Sequence, residues 1–125
     1  MSLNSLSKEI HENAVEHGWW DEERSFGEII ALCHSELSEA LEEYRNNHIG
    51  GWFSCSIHAE KQCTRNFDCL NCLNGKPEGI AVEMADCIIR ILDWCGKENI
   101  DIDDVIHRKM EYNKTRPYRH GGKVL

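Results

Sequence analysis

No run of apolar residues in this chain approaches the length of a bilayer span, and the N-terminus carries no hydrophobic core of a signal peptide. The expectation is a cytoplasmic protein with no membrane partner. Positive charge is also scarce. Lys plus Arg number 14 against 22 Asp plus Glu, a net charge of −8. That balance makes nucleic-acid backbone and anionic membrane surfaces poor partners. A polyphosphate can still bind where a divalent cation or a local basic patch supplies the missing charge. No segment alternates as a half-buried strand does, and there is no internal repeat or low-complexity tract. What remains is a 125-residue chain of single-domain size, expected to be all-α over residues 1–125.

Cysteine is plentiful, with seven in the chain. Cys33, Cys87 and Cys95 fall inside helical patterns, where a thiol behaves as a small buried apolar group. The other four crowd into one stretch. An odd count without a secretion signal argues against a disulfide framework and for a reducing compartment.

Four helices are expected. The first covers about Leu3 to His17, with Leu3, Leu6, Ile10 and Ala14 on one face and Gly18 as its stop. The second starts at Ser25, three residues before Glu28, the spacing of a capping box. It runs to about Asn46, with Ile30, Cys33, Leu37, Leu41 and Tyr44 as its apolar face. The third opens at Pro77 and closes near Gly96. The fourth begins near Asp101 or Asp103 and must stop by Pro117. Between the second and third lies an irregular insert, about residues 47–76, too long to be an ordinary connection.

The second helix carries Glu36, Glu39 and Glu43 within an arc of roughly 60°. Alone, these could be a solvated acidic stripe. The third helix makes a stronger case. It is apolar around most of its circumference, which predicts burial, except for Glu83, Asp86, Arg90 and Asp93 within about 80°. Buried charges need strong partners. Arg90 could bridge Asp86 and Asp93, yet that leaves Glu83 unpaired. A divalent cation shared by a Glu-x-x-Glu pair and a Glu-x-x-Asp pair would balance the group. An all-oxygen cage selects Mg²⁺, with Mn²⁺ as substitute, over Zn²⁺. On the fourth helix Ile102, Val105 and Ile106 give way on the same face to Lys109, Asn113 and Arg116, within about 60°. Beside a carboxylate cage, a stripe turning from aliphatic to cationic suits phosphate. The alternative is a helix C-terminus salt-bridged to its acidic neighbours.

"LCHSELSEALEEYR" with "PEGIAVEMADCIIRILDWCG" resembles the paired signature of MazG-like proteins of the all-α NTP pyrophosphatase superfamily, and "KMEYNKTRPYRHGGK" resembles their closing segment. The resemblance spans Glu22–Leu125 apart from the insert. It implies a helical, four-helix bundle-like fold that assembles as a homodimer or homotetramer. It also implies Mg²⁺-dependent hydrolysis of a nucleoside triphosphate to monophosphate and pyrophosphate, as in nucleotide-pool sanitation. Carried over by position, Glu36, Glu39, Glu83 and Asp86 become catalytic metal ligands. Lys109, Asn113 and Arg116 become phosphate or sugar contacts, and Trp20, with Trp19, a candidate to stack on the base.

The chain departs from that pattern at Cys55, Cys63, Cys69 and Cys72, with His58 nearby. Cys69-x-x-Cys72 has the spacing of half a zinc site, and Cys55-x-x-His58 could supply the other half, so the insert is a candidate for structural zinc. Two rival readings remain. A di-iron carboxylate bundle needs Glu-x-x-His pairs, and no histidine here stands three residues after a glutamate. A non-catalytic helical scaffold, with the insert as its protein-interaction site, leaves Glu83 and Asp86 without a purpose.

Overall fold

The computed structural model describes residues 1–48 and 76–124, and the backbone of 52–54. The described chain is predominantly helical, and no described helix is long and apolar enough to cross a membrane. In order, the elements are α1 (Leu3–Glu16), α2 (Phe26–Arg45), β1 (Trp52–Ser54), β2 (Lys76–Glu78), α3 (Ile80–Lys97), α4 (Ile102–Lys114) and α5, a four-residue irregular turn (Arg119–Gly122). They divide into two compact units, Met1–Trp19 with Leu92–Leu125, and Trp20–Ile91.

In the first unit, α1 begins where Ser2 accepts a hydrogen bond from the Ser5 amide. Two further amides of that first turn, Leu3 and Asn4, have no partner within their own helix. Both donate to the Asp103 carboxylate of α4, at 3.1 and 3.0 Å. Asn4 returns a bond to Asp101 at 2.8 Å. The start of α4 thus caps the start of α1. Farther along, Ser7 is buried and its hydroxyl donates to the Leu92 carbonyl at 2.5 Å, while His11 and Asp93 meet at 2.7 Å. These bonds tie α1 to the last turns of α3.

Gly96 permits that approach. A Cβ at this position would lie 2.7 Å from both the Ser7 carbonyl and the His11 Cβ. The helix closes at Lys97, near Gly96 as expected, but Gly96 is not its left-handed residue. That residue is Asn99, at φ 53°, with Ile100 N–H bonded to the Cys95 carbonyl and Asn99 N–H to that of Gly96. Gly18, at φ 81°, ends α1 in the same way, and Asn47, at φ 62°, ends α2. All three follow the Schellman pattern, in which a left-handed residue turns the chain back onto the helix's last carbonyls.

In the second unit, the Ser25 capping box forms in full: Ser25 N–H donates to the Glu28 carboxylate at 2.7 Å, and Glu28 N–H to the Ser25 hydroxyl at 3.2 Å. The start of α3 differs from expectation. Pro77 lies in a two-stranded antiparallel ladder opposite Phe53, and the helix begins at Ile80. Gly79, at φ 115°, turns the chain, and its carbonyl accepts the first helical bond from Glu83 N–H. Proline is tolerated in a strand with a free edge. A three-residue strand is also too short to show alternation, so the sequence pattern held no trace of it. The ladder brackets residues 55–75, which contain Cys55, His58, Cys63, Cys69 and Cys72. The zinc expected on these side chains falls outside the described residues.

The faces of α2 and α3 are turned from those expected. On α2 the buried residues are Ile29, Cys33, Glu36 and Ala40, one stripe about 60° wide. The expected core residues Ile30, Leu37, Leu41 and Tyr44 are 38–64% exposed, on a second stripe about 100° away that also carries Phe26. On α3, Glu83 and Cys87 are buried while Met84, Ile88 and Ile91 are 44–51% exposed. The helices turn Glu36, Glu83 and small side chains inward together with Ile29 and Leu92, and leave several other aliphatic side chains outward. Cys33, Cys87 and Cys95 are free and buried, as their placement in helical patterns implied.

Gly96→Ala tests the packing of the first unit. On an open helix this change would raise stability by about 1 kcal/mol. Here the extra methyl meets backbone, and denaturant unfolding should show a loss of about 1–3 kcal/mol.

Candidate metal centre

Two turns of α2 and one of α3 build the centre. Glu36 and Glu39, three residues apart, point the same way from α2, and Glu83 stands on the first turn of α3. One carboxylate oxygen from each lies within 4.8 Å of the other two. Glu36 and Glu83 are buried at 6% and 8% exposure, and Glu39 is open to solvent. Among the described residues no buried side-chain polar atom lacks a hydrogen-bond partner. For Glu36 the partner is Arg90, whose Nε donates to Oε1 at 2.6 Å. The within-helix bridge from Arg90 to Asp86 and Asp93 therefore gives way to a bond between helices; Asp93 belongs, with His11, to the first unit, where the two meet.

The group is short of positive charge, and its proton affinity reflects that. Burial pushes the Glu83 carboxyl up from its ordinary 4.5 to about 7, assisted by its hydrogen bond to Glu39 and by the charges of Glu39, Asp86 and Glu36. The Glu83 carboxyl therefore titrates near neutrality, beside Glu39. Asp86 is half-buried one turn along α3 and is not one of the three residues whose oxygens converge. Burial and the Glu36 charge raise its carboxyl as well, while Arg90 and Lys76 act in the opposite sense. Lys76, on β2, pairs with Glu78 at 3.4 Å. Glu78 above all, and more weakly Glu83 and Glu39, raise its pKa. The ladder thereby brings a second cation to the edge of the acidic group.

The i,i+3 spacing of Glu36 and Glu39, and the charge of Glu83 on an otherwise apolar helix, carried the trio in the sequence. The sequence carried no sign of the partner of Arg90, which depends on how two helices face each other, and none of Lys76, which depends on the ladder. Lys109, Asn113 and Arg116 belong to the other compact unit. There Lys109 Nζ lies 5.1 Å and Arg116 Cζ 5.9 Å from the centre of the Tyr112 ring. Tyr112, near the end of α4, thus has Lys109 of that helix and Arg116, just beyond it, against its ring. Lys109 and Asn113 are exposed, Arg116 and Trp20 are half-buried, and Trp19 is 55% exposed. Comparison with protein-family models, with curated proteins and with solved structures finds no match to this chain.

The raised Glu83 pKa sets a pH dependence. The folded chain holds this proton more tightly than the unfolded chain, so the contribution favours folding below about pH 4.5 and is lost as pH rises through about 7. In metal-free buffer the melting temperature should fall by about 5 °C or more between pH 5 and pH 8. Glu83→Gln, which cannot ionise, should flatten that slope. An equal slope in the variant would mean that other groups set it.

Proposed function

We propose that this chain is a Mg²⁺-dependent pyrophosphohydrolase of the MazG-like, all-α NTP pyrophosphatase type, converting a nucleoside triphosphate and water to the monophosphate and pyrophosphate. One observation carries the reading: Glu36, Glu39 and Glu83 converge from two helices, two of them buried, with too little positive charge around them. This donor set fits a hard divalent cation. Its ligands are all oxygen, its charge calls for more than one guanidinium, and its exposed edge leaves room for water and phosphate. Glu36, Glu39 and Glu83 would hold the cation, with Asp86 beside them.

When bound, Mg²⁺ neutralises phosphate charge and increases the acidity of water. The side chains do the rest by positioning and by proton transfer, as phosphoryl chemistry requires. Glu83, whose carboxyl titrates near neutrality, would have to be deprotonated to act as an anionic ligand. Glu39, at the solvent edge, is the carboxylate best placed to receive a proton from an attacking water. By the resemblance to MazG-like proteins, Lys109, Asn113 and Arg116 would be phosphate or sugar contacts and Trp20 a group that stacks on the base. The exposed aliphatic stripes of α2 and α3 support assembly into a homodimer or homotetramer, because soluble chains rarely leave such patches uncovered.

A panel of canonical and modified NTPs and dNTPs with Mg²⁺ tests the reading, with pyrophosphate as the measured product. At least one nucleotide should turn over. Glu83→Gln and Asp86→Asn should each lower kcat by about a hundredfold or more while the helical circular dichroism is retained. No pyrophosphate from any nucleotide, together with no Mg²⁺ binding, would overturn it.

A further inference from the structure

Most of the acidic group sits where a cation would be expected, but Arg90 already occupies part of its field. The guanidinium reaches from α3 to α2 and donates through Nε to one oxygen of Glu36, Oε1, at 2.6 Å. The Glu36 side chain is 9% exposed and that of Arg90 32%, so water screens this bond only in part. A buried carboxylate held by a guanidinium has its plane fixed, and the bonded oxygen has less charge to offer a second cation. The other oxygen keeps its full donor strength.

Resting on the metal reading above, we propose that Arg90 is a positioning residue that determines which cation the centre accepts, by holding Glu36 to ligation through a single oxygen. The consequence follows from cation size. Mg²⁺ and Mn²⁺ accept one oxygen per carboxylate in near-octahedral arrangements, with Mg–O distances of about 2.0–2.1 Å. Ca²⁺ takes about six to eight oxygens at about 2.3–2.6 Å and is commonly served by carboxylates that chelate through both oxygens. With Arg90 on Oε1, Glu36 is a poor chelator, and three carboxylates supplying one oxygen each suit the smaller ion. Arg90 also leaves the trio short of full neutralisation, so the site still attracts a divalent ion.

The test measures Kd for Mn²⁺, Mg²⁺ and Ca²⁺ by calorimetry on the full chain, stripped of metal, with no nucleotide present. Wild-type protein should favour Mn²⁺ and Mg²⁺ over Ca²⁺. Arg90→Lys keeps the positive charge but loses the planar Nε donor. It should weaken Mn²⁺ and Mg²⁺ about tenfold while leaving Ca²⁺ unchanged or tighter, so that the preference narrows or reverses. Arg90→Gln should change the preference in the same direction. A shift of all three ions by one common factor in Arg90→Lys would mean a purely structural or purely electrostatic role, and would overturn the inference while leaving the metal site standing. Wild-type protein binding Ca²⁺ as tightly as Mn²⁺ would overturn it without reference to any variant. Wild-type protein binding none of the three would remove the metal reading itself, and this inference with it.

Discussion

Packing carboxylates between helices in place of aliphatic side chains sets a condition that the rest of the second unit has to meet. Glu36 and Glu83 are nearly withdrawn from water, within 4.8 Å of each other and of Glu39. Like charges this close cannot all ionise without a counter-charge. Two responses are visible in the chain. Arg90 crosses from α3 to pair with Glu36, and the Glu83 carboxyl is pushed up to about 7 by burial and by its neighbour Glu39. Each is incomplete. One guanidinium does not balance the group, and a carboxyl that titrates near neutrality is readily converted to a ligand. The centre is a stable arrangement that a divalent cation would improve.

The same inward placement of charge explains the outer surface. A helix has a limited circumference, and α2 gives its inward stripe to Ile29, Cys33, Glu36 and Ala40. The larger aliphatic and aromatic side chains are then left on the adjoining stripe, exposed in the single chain. Small inward residues such as Ala40, Cys33 and Cys87 let the helices approach closely enough for carboxylates on opposite sides to meet. The site and the exposed apolar surface are thus two results of one choice of facing, and the proposal of a homo-oligomer follows from it.

Much of this was legible in the sequence wherever the signal was local. Ser25 with Glu28, Gly18 after α1 and Asp101 before α4 mark helix ends through hydrogen bonds spanning three or four residues, and they are found where expected. Glu36 and Glu39 were legible for the same reason, since an i,i+3 pair shares a face whatever surrounds it, and Glu83 stood out as a charge on a helix apolar around most of its circumference. What depended on contact between elements was not. The rule that an aliphatic stripe faces inward assigned Leu37 and Leu41 to the core, and the chain buries Glu36 and Ala40 instead. Pro77 read as a helix start because proline suits a first turn, but pairing with Phe53 and the positive φ of Gly79 moved the start to Ile80. Gly96 stands beside the helix end, as expected, and it also lets Ser7 and His11 come close, which only the packing shows.

The most direct test of the central claim couples cation binding to the Glu83 proton, because a ligand that holds a proton must release it when a metal takes its place. Titrating the metal-free chain with Mn²⁺ in buffers of different ionisation enthalpy counts the protons released. The account predicts release of about one proton per Mn²⁺ near pH 6, falling towards zero near pH 8.5, and no such release in Glu83→Gln. Mn²⁺ binding with no proton released at any pH, or no binding at all, would contradict it.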